Sequence, residues 1–338
     1  MTATAIAPLD AALPKPKTDF LPLALPVALA LVLLPFVSFS TWVTLTVAGL
    51  AMGLMIFVMA SGLTLVFGLM HVLNFGHGAF ISVGAYVATL ILLPLAGFTY
   101  ADSFWLNLVA LVPAVLFAMV VSGVLGFGFE RILIVPVYGQ HLKQILVTMG
   151  GLIVTEEAIK ALWGPQAIPL PLPSSLRGSF VFGDVAIEKY RLLAVVVGLV
   201  IFAAMLVVLN RTKIGLLIRA GVENSEMVEA LGYRITRLFV GVFMAGSALA
   251  GLGGVMWALY REQLNASMGG DMMVLVFIVV IIGGLGSVGG CFLASLLVAL
   301  LANYVLFLLS DLASVSTILL MVCVLLWRPT GLYQVTSR

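Results

Sequence analysis

Charge is what this sequence has least of. Only 9% of its 338 residues are Asp, Glu, Lys or Arg, and 63% are apolar, whereas a water-soluble domain is roughly a quarter charged. So few ionised side chains cannot keep a chain of this length dispersed in water, so most of it is solvated by lipid. The net charge of +2 is too small for the basic footprint a nucleic-acid partner requires. The cysteines are two, Cys291 and Cys323, both in apolar runs. That excludes a disulfide framework and leaves them as small packing residues. Three histidines are too few for a membrane oxygenase, and a closed metal site needs three or four ligands, so no metal site is assigned. Neither H-E-x-x-H nor G-x-S-x-G occurs, which leaves an intramembrane enzyme without a constellation. A G-x-x-x-x-G-K-[ST] loop is missing too, and no Gly is followed by Lys anywhere. The chain therefore cannot cradle ATP by that route.

What the sequence does have is apolar runs. A helix needs about 20 apolar residues to cross the hydrocarbon core. Breaks at Pro, Gly and charged clusters divide the chain into segments 21–37, 42–60, 78–93, 104–126, 144–163, 191–209, 237–258, 272–283, 291–309 and 312–327. The expected fold is an all-α polytopic membrane bundle of about ten spans with broken helices. Residues 1–19 read as a cytoplasmic tail carrying Lys15 and Lys17, and 20–338 as one transmembrane domain. The run from Phe20 to Phe39 is long enough to span and is read as a retained first helix, not a cleaved signal.

The basic residues test this count. Ten crossings put both termini and the loops 127–143 and 210–236 on one side. There lie Lys15, Lys17, Arg131, Lys143, Arg211, Lys213, Arg219, Arg234, Arg237, Arg328 and Arg338, against Lys160, Arg177, Lys189, Arg191 and Arg261 opposite. Eleven against five accounts for all 16 Lys and Arg and places both termini in the cytoplasm by the positive-inside rule. The external loop 164–190 opens with Pro165, Pro169, Pro171 and Pro173, so it cannot be helical throughout. Gly183-Asp184 then separates two β-prone runs, 179–182 and 185–190, the signature of a small hairpin. It serves either as filler or as a landing surface for an external partner.

The longest charged stretch is 210–237. Asn224 or Ser225 can cap a short helix, Glu226 suits its first turn, and Gly232 stands where it would stop. Met227, Val228 and Leu231 form a small apolar stripe, with Glu226 and Glu229 beside it. Such a helix between two spans suits the reception of a push from a cytosolic motor; the plainer reading is a solvated loop covering the bundle end.

Two Gly-rich breaks interrupt apolar sequence. One runs from Ser61 and Thr64 through His71, Asn74, His77 and Gly78; the other is Gly283-Gly284-Leu285-Gly286-Ser287-Val288-Gly289-Gly290. Irregular backbone at membrane depth survives only where protein or a water-filled cavity satisfies it, so these breaks are pathway or gate elements. Single glycines read instead as close helix packing. Asn74 and His77 either bond freed backbone groups or line the pathway. Glu156, Glu157 and Lys160 close the fifth segment; Glu156 and Lys160, at i and i+4, read as an interfacial pair. No line of carboxylates threads the spans, which weakens proton coupling.

At these motifs the chain resembles a known family. The stretch GLTLVFGLMHVLNFGHGAFISVGAYVA (62–88), the loop RAGVENSEMVEALGYRITRLFVGVFMAGSALAGLGGVMWA (219–258) and VLVFIVVIIGGLGSVGGCFLASLLVALL (274–301) are similar, in order, to blocks of the LivH-type permeases of branched-chain amino-acid ABC importers. The resemblance runs from about residue 42 to the end. It implies a second, M-type permease, two cytosolic ATPases that bind ATP and Mg, and an external solute-binding protein. This chain would bind no cofactor. It also implies that 223–232 is the coupling helix gripped by the ATPase, with Arg219, Asn224, Glu226, Met227, Glu229 and Leu231 at the contact and Gly232 closing it. Asn74 and His77-Gly78 match the family's Asn-x-x-His-Gly pattern, and the implied location is the bacterial inner membrane. His71, Glu156-Glu157 and the long N-terminal tail depart from the pattern. Urea and short-amide permeases share the blocks, so the cargo stays open between them. A transporter or channel that works alone accounts for the spans but gives the 210–237 loop no task.

Overall fold

The computed structural model describes residues 21–70, 72–223 and 225–333. The N-terminal tail with Lys15 and Lys17, His71 and Asn224 lie outside the described residues. The architecture is helical. The first half of the chain forms α1 (Leu21–Val32), α2 (Phe39–Met70), α3 (His77–Leu92), the short α4 (Ala96–Thr99), α5 (Phe104–Phe129) and α6 (His141–Trp163). After an extended segment come α7 (Lys189–Arg211), α8 (Lys213–Glu223), α9 (Ser225–Ala230), α10 (Ile235–Arg261), α11 (Met268–Gly283), α12 (Val288–Leu308) and α13 (Ala313–Trp327).

A helix stands at each of the ten expected segments. Five of them are long and apolar enough by themselves to cross a membrane: Phe39–Met70, Phe104–Val137, Lys189–Arg211, Ile235–Arg261 and Val288–Leu308. Shorter apolar helices cover Pro22–Phe36, His77–Leu92, Met268–Gly283 and Val315–Trp327, and α6 covers the remaining segment. The largest departure is in α2, which continues through Ser61 and Thr64 to Met70. The first break is therefore confined, among the described residues, to 72–76. Leu, Val, Phe and Met around Gly62 and Gly68 give the helix no polar reason to stop, and a single Gly in a packed helix is tolerated.

Packing places α2 at the centre and α7 at the rim: most of α2 is buried and little of α7 is. In lipid an exposed Leu or Val face has no drive to bury itself, so helices associate through close van der Waals contact at small residues. α10 shows this plainly. A Cβ on Gly62 of α2 would collide with the Gly246 backbone, one on Gly84 of α3 with Gly251, and one on Gly126 of α5 with the Ser247 side chain. Here the reading of single glycines as packing residues fits the contacts.

The bundle has two distinguishable ends. At one, the hairpin end, β2 (Ser179–Phe182) pairs antiparallel with β3 (Val185–Glu188) about the Gly183-Asp184 turn, and Ser40 at the start of α2 bonds the Asp184 carbonyl. A second, unexpected ladder joins β1 (Ile168–Pro169) to β4 (Gln263–Leu264). At the other, the α9 end, Gly221 of α8 approaches Leu69, and Tyr138 donates to the Met70 carbonyl over 3.2 Å.

Candidate functional site

The first break enters the depth of the bundle. His77 opens α3, and its Nε2 lies 2.9 Å from the Met59 carbonyl of α2. Met59 is eleven residues before the end of α2, about 16 Å up the helix at 1.5 Å per residue. The extended residues leading to it are held from several sides. The Phe75 N–H donates to Thr148 Oγ1 of α6 over 3.1 Å, and the Phe75 and Phe277 rings lie 4.4 Å apart, bringing α11 against the break. Backbone at this depth has no water to satisfy it, and Thr148 supplies part of what is missing. Asn74 is different. It is completely buried, and among the described residues neither its amide oxygen nor its amide nitrogen has a hydrogen-bond partner; His77 Nδ1 has none there either. An unsatisfied buried polar group costs about 1–3 kcal/mol, so Asn74 is held in a position that stability alone does not favour.

Gly78 lies where α3 crosses α11. A Cβ there would stand 2.7 Å from the Gly269 carbonyl oxygen, and one on Gly269 would overlap the Gly78 carbonyl. No side chain fits between these backbones. Ser61 and Thr64 do not line the break. Each hydroxyl bonds a carbonyl of its own helix, Val58 at 2.8 Å and Ala60 at 2.9 Å, as hydroxyls in lipid-embedded helices commonly do.

The second break belongs to the α9 end. A Cβ on Gly68, two residues before the end of α2, would lie 2.9 Å from Gly286 Cα. Gly284 and Gly286 have φ of +95° and +85°, a left-handed turn that glycine adopts without penalty. Ser287 caps α12 through Gly290 N–H at 3.1 Å. The free end of α11 is covered by the C-terminal segment: Leu332 N–H donates to the Ile282 carbonyl at 2.8 Å and Tyr333 N–H to that of Gly283 at 3.2 Å. The two glycine-rich elements thus differ in depth, and the structure does not bring them into one site.

The charged loop folds into two helices. α8 precedes α9, and α9 ends in a Schellman motif. Gly232, at φ +87°, donates to Glu229 over 2.9 Å, and Tyr233 donates to Val228 over 3.2 Å, the 5→2 and 6→1 bonds of that cap. The expected stripe is divided. Val228 is buried, while Met227 is 61% and Leu231 71% exposed, so two of its apolar side chains face away from the bundle. Glu229 is exposed as well, and so is Arg219 of α8.

Several polar residues were not legible as site residues. Lys160 pairs with Glu157 at 2.7 Å rather than with Glu156. Glu156 instead stands against the first turn of α11, where a Cβ on Gly270 would lie 2.8 Å from its Oε1, a placement a helix N-terminus favours for a carboxylate. Ser82 accepts from Gly269 N–H at 2.9 Å and donates to the Ala266 carbonyl at 3.0 Å, fixing the entry to α11. Glu130 opens a π-helical turn after α5, and both it and Gln144 are buried with a side-chain oxygen that has no partner among the described residues. In the sequence Glu130 stands beside Arg131 and reads as a loop charge.

A helical bundle of apolar segments with irregular backbone at depth and a capped helix at one end is an architecture that suits a membrane permease subunit. Residues 45–325 match the family model described as branched-chain amino acid transport system / permease component, and the chain belongs to that family. It is 27% identical over 293 residues to the high-affinity branched-chain amino acid transport system permease protein BraD of Pseudomonas aeruginosa, covering 85% of this chain and 94% of that protein. It is 26% identical over 291 residues to LivH of Escherichia coli, covering 84% and 92%. The probable permease LivM of Methanocaldococcus jannaschii is 27% identical over 264 residues, covering 68% and 72%. The H-type proteins align over nearly their whole length, so the chain is of the H type. No solved structure matches the chain significantly.

Proposed function

We propose that this chain is the H-type permease subunit of an ATP-driven importer that moves branched-chain amino acids across the bacterial inner membrane by alternating access. The observation that carries the reading is the family match over 45–325, joined to a capped helix that presents Met227 and Leu231 outward. In this reading the α9 end is cytosolic, the ten helical segments are crossings, and both termini lie in the cytosol. Two cytosolic ATPases hold α9 and supply the work. An external binding protein delivers cargo at the hairpin end, and a related M-type permease completes the pathway. The chain holds no cofactor; ATP and Mg belong to the ATPases. ATP-dependent closure moves α9, and the motion reaches the 72–76 break through α2, which contacts both α8 and His77.

Reconstitution tests this. Liposomes containing both permeases, the ATPases and the binding protein are expected to accumulate labelled leucine with ATP and not with ADP. Accumulation of urea without leucine would transfer the chain to the amide branch of the family.

A further inference from the structure

We propose that a polar pocket between the end of α10 and the start of α11 receives the head group of a zwitterionic α-amino acid, with Arg261 taking its carboxylate and Asp271 its ammonium. This rests on the amino-acid importer reading above. The pocket has a volume of about 260 Å³ and is lined by Trp257, Arg261, Gln263, Asn265, Met268, Asp271 and Met272, below the ~300–1,000 Å³ of sites for drug-sized ligands and suited to a single amino acid. Its charges are of opposite sign and are not spent on each other. The ion pairs among the described residues are Lys160–Glu157 and Arg191–Glu188. Both Arg261 and Asp271 are exposed, and the Gln263 and Asn265 amides add neutral donors and acceptors. Trp257, Met268 and Met272 supply an apolar wall for an aliphatic side chain.

The pocket descends from the hairpin end. Its floor is the first turn of α11, where Gly270 contacts Glu156. Glu156 is seven residues before the end of α6, so the floor lies about 10 Å below that end. Arg261 stands at the rim, at the end of α10, and its position is fixed. Glu262 adopts a left-handed turn at φ 53°, its carbonyl accepts from Leu170 N–H at 2.9 Å, and β4 is held by β1. Ser82 holds the opposite wall through Gly269 and Ala266. The site is therefore built on braced backbone, and Asp271 also borders a second cavity with Met52 and Asn303.

The test uses the complete assembly with its binding protein and ATPases in liposomes, reading ATP-dependent uptake of labelled leucine and binding-protein-stimulated ATP hydrolysis together. A hydrogen bond to a charged group is worth about 1.5–3 kcal/mol, so Arg261→Gln and Asp271→Asn are each expected to lower leucine uptake at least tenfold while stimulated hydrolysis persists. Arg261→Lys and Asp271→Glu should recover part of the uptake. Uptake within twofold of the unsubstituted assembly in both neutral variants would overturn the site and leave the importer reading intact. Loss of stimulated hydrolysis together with uptake would also overturn it, assigning these residues to docking of the binding protein. An unsubstituted assembly that carries urea and not leucine would overturn the amino-acid reading, and this site with it.

Discussion

Gly232 gives the sharpest handle on the coupling role of α9. Its φ of +87° lies where an L residue costs about 1–2 kcal/mol, and a Cβ placed there meets nothing within 4 Å. The penalty of Gly232→Ala is thus conformational and not steric. Pro is worse: it fixes φ near −65° and removes the N–H that donates to Glu229 at 2.9 Å, for a total on the order of 3 kcal/mol. Asn tolerates the left-handed region and should be nearly neutral. A helix of six residues has little stability of its own, so 1–2 kcal/mol changes the population of the capped form roughly 5–30-fold. ATP-dependent uptake by the reconstituted assembly should fall in the order Gly and Asn, then Ala, then Pro, with membrane insertion unchanged. Glu226→Lys, which reverses a favourable charge in the first turn, should fall with Ala. Uptake by the Pro variant equal to that of the unsubstituted protein, with the ATPases bound, would refute the coupling role.

Other expectations follow from the same contacts. Asn74→Leu removes two buried amide atoms that have no partner among the described residues, so it should hold or raise the melting temperature in detergent while lowering uptake; a fall in both would make Asn74 a structural residue. Gly269→Ala forces a methyl against the Gly78 carbonyl, and overpacking of this kind costs about 1–3 kcal/mol. It should lower the melting temperature by several degrees, and an unchanged value would contradict the close α3–α11 crossing. With Cys291 and Cys323 replaced, a cysteine at Leu231 should react with a membrane-impermeant maleimide only from the cytosolic face and one at Phe182 only from the external face. Labelling of both from one face would overturn the orientation.

The helices were legible because lipid makes apolar length the dominant signal, and each of the ten segments holds one. The hairpin was legible because Gly183-Asp184 is a local turn signal, and the end of α9 because Gly232 is a local cap. What escaped depends on distant partners. Nothing near Gly283 announces that Leu332 and Tyr333 will cap it. Nothing near Glu156 points to Gly270, and Ile168 and Leu264 become partners only once the bundle has closed. The division of Met227 and Leu231 from Val228 likewise follows from which side α9 turns to the bundle. Ser61 and Thr64 flank Gly62 and read as part of a Gly-rich break, whereas α2 runs on through them to Met70 and their hydroxyls bond back to their own helix.

The most direct test of the whole account is a comparison of this polypeptide reconstituted by itself with the same polypeptide joined by its permease partner, ATPases and binding protein. The single chain should show no uphill accumulation of leucine under any ion gradient, and the full assembly should accumulate it when ATP is supplied. Concentrative uptake by the lone chain would contradict the claim that its driving force enters through α9.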